Sequence, residues 1–520
     1  VSSMNGAQSL IRTLVDAGVE VCFSNPGTSE MHFVAALDDV TEMRGVLGLF
    51  EGVVTGAADG YARIAGKPAA TLLHLGPGLG NGMANLHNAR RARTPIVNVV
   101  GDHATYHKKY DAPLESDIDA LVSPLRGWVR RSESTADVGA DAAAAVAAAQ
   151  DAPGRIATLI LPADVSWGEG GEACAPIPPR LAQSATRADV ERVADVLRSG
   201  DSVALLIGGG ACRETGLRAA ARLAKATGAK VFAETFPSRI ERGAGLPNIE
   251  RLGYLAEHVE YQLQGVEHVV LAGTRAPVSF FAYPGKASDL VPEGATVHTL
   301  ADVDGDAAGA LTDVAELVAV GIDPVLAEPS RPALPSGPLT PQNWADVIGA
   351  LLPDRAIIAD EANTSGLMLP AATAGAPRHD VLTLTGGAIG YGPPVATGAA
   401  IAAPDRPVIN LQSDGSALYT ISALWTQARE DLKVTTVLLN NSAYAILRME
   451  LQRVGAQTDG KKANELLDLS RPDMDFAKIA EGMGVPASRA TTAEELAEQF
   501  ERALAEPGPH LIDAIVPPLL

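Results

Sequence analysis

SDGSALYTISALWTQAREDLKVTTVLLNN, residues 413–441, follows the apolar run PVINLQ and decides how the whole chain is read. PVINLQ has the length and composition of a buried strand, SALYTISALWTQARE reads as one helix, and VTTVLLNN as the next strand. Asp414 and Asn441, 27 residues apart, therefore fall at the carboxyl ends of two strands, where α/β sheets bind their ligands. Both offer hard oxygen atoms, which Mg²⁺ prefers. The small Gly415 and Ser416 let a helix amino terminus approach phosphate oxygens. An acidic turn in an ordinary strand-helix-strand unit is the plain alternative, and the spacing together with the Asn440–Asn441 pair weighs against it.

Working outward, 520 residues are too many for one core and suggest about three domains. Pro and Gly rich stretches at 167–180 and 328–342 divide the chain into residues 1–170, 181–328 and 341–520. In each block short runs such as VEVCF, AATLLHL, SVALLIGGG, HVVLAG and AIIADE alternate with amphipathic stretches, as parallel sheets with covering helices require. Three doubly wound α/β domains are expected. The Ala-rich 142–150 reads as a helix against a sheet. A formal net charge of −21 repels nucleic acid and anionic membranes. No apolar run approaches the ~20 residues of a membrane span, and no basic-then-apolar leader opens the chain, so a soluble, cytoplasmic protein is expected. Cys22, Cys174 and Cys212 show neither metal spacing nor a disulfide framework, which fits a reducing compartment, and Cys22 reads as core.

With FSNPGTSE, LFEGVVTGAADGYARIAGKP and LLHLGPGLGN in the first block and the 413–441 motif in the third, the whole chain resembles thiamine diphosphate enzymes of the acetolactate synthase family. It is also similar to benzoylformate decarboxylase around GSALYTISALW. The resemblance implies a pyrimidine-binding first domain, a middle domain and a diphosphate-binding third domain. It implies thiamine diphosphate and Mg²⁺ as cofactors, a small 2-oxo acid as substrate, and a homodimer or homotetramer with active sites between subunits. Asp414, Asn441 and the backbone carbonyl of Ala443 stand at the family's metal ligands, although Ser413 replaces the first Gly of the family's Gly-Asp-Gly. Asn363 and Thr364, in DEANTS, stand at the turn that cradles the diphosphate with Gly415 and Ser416. Ile389, between Gly387 and Gly390, matches the bulky residue that holds the two cofactor rings in a V shape. Glu51 matches the glutamate that bonds a pyrimidine nitrogen and thereby creates a base beside the reacting carbon. A helix amino-terminal Glu held by the dipole is its plain alternative.

His74 matches an active-site histidine of benzoylformate decarboxylase, and Thr28 stands at its substrate-contacting serine. A lone histidine in an apolar strand is otherwise a core residue, and His103 and His107 read first as surface turn residues. The decarboxylase's second histidine has no counterpart, since Phe280, Phe281 and Ala282 occupy its region. Glu450 stands where that enzyme has an aromatic pocket residue. The acetolactate synthase Phe-Gln pair is replaced by Pro113 and Leu114. GGGA at 208–211 and GTRAPV at 273–278 lack the family's flavin segment, so FAD is not expected. Acetolactate synthase-like carboligation is the first expectation, simple decarboxylation the second, and a non-catalytic cofactor-binding paralogue the third.

Overall fold

The computed structural model describes residues 4–518. Three parallel sheets dominate it. The first has six strands in the order Arg44–Leu47, Val21–Ser24, Ala69–His74, Ile96–Asp102, Ile156–Pro162 and Trp128–Arg131. The second has five, in the order Glu250–Arg251, Lys230–Ala233, Val203–Ile207, His268–Ala272 and Thr296–Ala301. The third has seven, with Ala356–Glu361, Val408–Ser413 and Val434–Asn440 side by side at its centre. The central strands are buried on both faces, which is why their sequences are continuous Val, Ile, Leu and Ala runs. These are the expected doubly wound α/β units. One exchange was not foreseen: Ile240–Arg242, from the middle of the chain, pairs antiparallel with His379–Thr383 at the edge of the third sheet. A two-stranded ribbon, Met4–Asn5 with Glu169–Gly171, closes the first unit at its chain ends. The Ala-rich stretch forms the helix Val138–Gln150, and no helix of the described residues is long and apolar enough to cross a membrane.

Helix Glu51–Ala65 of the first unit lies against Gly392–Ala402 of the third. Gly52, Gly56 and Gly60 recur every fourth residue, so they share one helix face. A Cβ on Gly56 would come within 2.6 Å of the Pro394 ring, one on Gly60 would strike the Val395 carbonyl, and one on Gly398 the Ala57 carbonyl. The two backbones thus approach to a distance that only glycine permits. At the end of the same helix Arg63 and Asp59 form a buried bidentate pair with bonds of 2.8 and 2.7 Å. Arg63 also donates to the carbonyls of Ser238 and Thr383. One guanidinium therefore joins all three units.

The segment expected to be one helix after Asp414 is instead two, Asp414–Ala417 and Ala423–Arg429. Thr420 gives the reason: its hydroxyl donates to the Gly390 carbonyl at 3.0 Å, and Tyr419 packs on Gly390, so side-chain bonding to a neighbouring loop outcompetes helix continuation. Replacing Gly60 by Ala should lower stability by about 1–3 kcal/mol, because the Val395 carbonyl must be displaced. A urea melt followed by circular dichroism checks this, and an unchanged midpoint would contradict the close approach.

Candidate active site

Glu51 is the first residue of its helix and follows the extended Phe50, so the chain turns sharply and presents the carboxylate at a positive helix end. Asn81 Nδ2 donates to Glu51 Oε2 at 3.0 Å. His74 ends strand Ala69–His74, and Leu75, with φ 51°, turns directly into helix Leu75–Ala92. A Cβ added at Gly78 would stand 3.4 Å from both Glu51 Oε1 and His74 Cβ. Glu51 and His74 therefore flank one small residue.

His74 is not an isolated core histidine. Its Nδ1 lies 2.8 Å from Oε2 of Glu30, which is 2% exposed and also accepts the Gly27 N–H at 2.8 Å. Burial pushes the Glu30 carboxyl up, and the His74 charge works in the opposite direction. With Glu30 ionised, Nδ1–H donates to it and Nε2 is left for another partner. Gly27 has to be glycine, since a Cβ there would run into the His74 ring. Thr28 begins the exposed side of the same turn, Thr28–Glu30. The His103 and His107 rings meet tilted at 5.2 Å, in a loop that Lys108 ties to Asp102 and Glu115.

In the third unit Asp414 is 2% exposed. Its Oδ1 accepts Gly415 N–H at 2.8 Å, and its Oδ2 accepts the N–H groups of Asn441 and Ser442 at 3.1 and 2.6 Å. Burial raises its pKa, and peptide N–H groups rather than cations offset that rise. The two asparagines have separate tasks: Asn440 donates to Asp513 at 3.0 Å inside the sheet, which leaves Asn441 for the site. Asn363, at φ 51°, heads the turn Asn363–Gly366 that also holds Thr364. Its amide donates to Ser413 Oγ at 2.6 Å, and Ser413 meets Ser416 Oγ at 2.6 Å. The Ser that replaces the family's Gly is thus absorbed by a polar chain across the turn.

The loop bearing Ile389 is clamped from the first unit. Asn88 exchanges two bonds with Ala388, His87 bonds the Gly386 carbonyl, and Asn85 Nδ2 donates to the carbonyls of both Gly390 and Gly52. Gly387 and Gly390 adopt φ 72° and 93°. Ile389, like Met83, is half-buried against the core shared by the first and third units. From the middle of the chain Phe280 reaches this loop, its ring 2.7 Å from where a Gly387 Cβ would stand, and it meets Phe236, Tyr254 and Phe281 in edge-on or tilted contacts. Glu450 is compensated, accepting from Tyr283 OH at 3.2 Å with Arg453 at 3.7 Å. Sequence reasoning passed over Glu30 and Glu361, although both stand in quoted motifs. It also passed over Asn81, Asn85 and Asn88, whose spacing on one helix face was the available signal.

Residues 4–122 match the thiamine pyrophosphate enzyme N-terminal TPP binding domain, and residues 364–514 the C-terminal TPP binding domain. The chain belongs to the thiamine pyrophosphate enzyme family. Within this family it is 67% identical over 99% of its length, and all of the relative's, to a Mycobacterium tuberculosis protein provisionally named an acetolactate synthase large subunit. It is 30% identical to a benzoylformate decarboxylase of Pseudomonas aeruginosa, covering 95% of this chain and 96% of that one. Among solved structures, a Rhodococcus jostii thiamine diphosphate-dependent 4-hydroxybenzoylformate decarboxylase superposes with a TM-score of 0.85 at 25% identity, over 99% of both chains.

The thiamine enzyme's residues suit its cofactor. Asp414 is a buried carboxylate compensated only by peptide dipoles, an arrangement that a divalent cation would fit. No cluster of three or more His, Cys, Asp or Glu among the described residues could hold a metal, so an ion at Asp414 would have to take its other ligands from amide, peptide or cofactor oxygens. In the middle sheet Glu234 accepts the Gly209 N–H at 3.0 Å.

Asp414 also sets a pH signature. A carboxyl with a raised folded pKa contributes stability at pH values below the ordinary carboxylate pKa, and that contribution is lost as pH rises through the raised value. Thermal stabilisation by Mg²⁺ with thiamine diphosphate should therefore be larger at about pH 8, where the carboxylate is ionised and would need a cation, than at about pH 4. Asp414→Ala should lose that increment and weaken Mg²⁺ binding on the order of 100-fold by calorimetry.

Proposed function

We propose that this enzyme uses thiamine diphosphate and Mg²⁺ to decarboxylate a small 2-oxo acid and join the retained acyl fragment to a second carbonyl compound, an acetolactate synthase-type reaction. The observation that carries this reading is Phe280 lying against Gly387 of the Ile389 loop. An aromatic ring, rather than a histidine, lies against that side of the loop, which favours a reaction that does not depend on a second histidine acid. The 67% identical relative supports the same reading.

Bound in this site, thiamine diphosphate supplies a carbanion nucleophile and an electron sink for loss of carbon dioxide. Asp414, Asn441 and the Ala443 carbonyl would hold Mg²⁺. Asn363, Thr364, Gly415 and Ser416 would hold the diphosphate, and Gly387 and Ile389 would support the rings. Glu51, fixed by Asn81, would hold the proton at a pyrimidine nitrogen. Thr28 and His74 Nε2 would orient the 2-oxo acid carboxylate. Large apolar side chains are exposed beside both halves of the site, Leu49 next to Glu51 and Leu367, Tyr419 and Leu447 around Asp414. Such surface supports a homodimer or homotetramer in which subunits meet at the active sites. The three free cysteines suit a cytoplasmic location.

Simple decarboxylation is the second reading, favoured by the Glu30–His74 pair, which can deliver a proton to the product carbon. Proton NMR of the enzyme with both cofactors and pyruvate decides between them. Acetolactate establishes carboligation, acetaldehyde establishes decarboxylation, and untouched pyruvate redirects the search to bulkier 2-oxo acids or a non-catalytic role. Glu51→Gln should keep cofactor binding and reduce turnover about 10²–10⁴-fold in either case. Full turnover would remove Glu51 from the mechanism.

A further inference from the structure

We propose that Glu361 is a positioning residue that couples the Ile389 loop to the diphosphate turn, so that one buried carboxylate sets the two cofactor-facing segments of the third unit against each other. The proposal rests on the thiamine diphosphate reading of this site. Glu361 ends strand Ala356–Glu361 and is 1% exposed. Its Oε1 accepts the N–H groups of Gly390 and Tyr391 at 2.8 and 3.4 Å. Its Oε2 accepts Gly392 N–H and Gln412 Nε2, both at 2.8 Å. Gln412 also donates to Ser416 Oγ at 2.7 Å, from which the hydroxyl chain continues through Ser413 to Asn363.

Four N–H donors converge on this side chain, so only a group that accepts at both oxygens satisfies them. A glutamine of the same shape would turn an NH₂ toward N–H groups. The carboxylate also lies at the amino terminus of helix Gly392–Ala402, whose dipole stabilises a negative charge there. Capping that helix would need only the Gly392 bond. The additional bonds reach Gly390, next to Ile389, and the strand that leads into Asp414 and Ser416. Asn85, His87 and Asn88 hold the loop from the outer, first-unit side, and on the inner side Thr420 bonds only the Gly390 carbonyl, so Glu361 is the inner partner of the loop's N–H groups. With Gly387 and Gly390 both in left-handed conformations, the loop has little intrinsic preference for its observed shape.

The experiment uses full-length Glu361→Gln and Glu361→Asp. Hydrogen exchange of residues 386–392 is measured in cofactor-free protein, and thiamine diphosphate affinity is measured by calorimetry at fixed Mg²⁺. Exchange at least about tenfold faster, with cofactor affinity about tenfold weaker in a folded Glu361→Gln protein, is the expected result. Exchange and affinity both within about twofold of the parent would overturn it. If Glu361→Gln does not fold, Glu361→Asp is read by the same criteria, and failure of both to fold would assign Glu361 to folding alone and reject the positioning role. If the parent protein itself fails to bind thiamine diphosphate, the cofactor reading falls separately, and loop exchange still decides whether Glu361 anchors residues 386–392.

Discussion

The contact between helix Glu51–Ala65 and helix Gly392–Ala402 is the constraint on which the rest depends. Gly56, Gly60 and Gly398 bring two backbones together, and the amino ends of the helices carry Glu51 and the Ile389 loop respectively. Asn85 spans those ends by donating to Gly52 and Gly390. At the other end Arg63 fixes the register, because its donors are consumed by Asp59, Ser238, Thr383 and Thr385. A buried ion pair of this kind adds little net stability, yet leaving one partner alone costs about 3–5 kcal/mol. Its effect is to make any other seating of the two helices expensive.

Three buried carboxylates recur around the site, Glu30, Glu361 and Asp414, and none of them relies on a lysine or arginine. Each is held by peptide or side-chain N–H groups, and burial pushes all three pKa values upward. Peptide dipoles are fixed by the fold, so they orient a carboxylate without neutralising it. When ionised, each would present negative potential to whatever lies beside it, and at Glu30 that neighbour is His74 Nδ1.

The departures from the family pattern fall into two kinds. Ser413 and Glu450 are absorbed locally, one by the Asn363–Ser416 hydroxyl chain and the other by Tyr283 and Arg453. Phe280 is different in kind, because its ring lies against Gly387 of the Ile389 loop rather than filling a polar gap.

The alternation of apolar runs with amphipathic stretches determined the three parallel α/β units, because strand burial on both faces is written directly into composition. The motifs around Glu51, His74, Ile389, Asp414 and Asn441 determined the family and the cofactor, because ligand chemistry restricts residue type at fixed spacing. Tertiary structure alone decided the partners. Glu30 reaches His74 across 44 residues and Glu361 reaches Gly390 across 29. Tertiary structure also decided that the helix after Asp414 breaks at Thr420 and that Ile240–Arg242 joins another unit's sheet. These depend on which segments fold side by side, and a hydrogen bond between distant residues leaves no periodicity in either one.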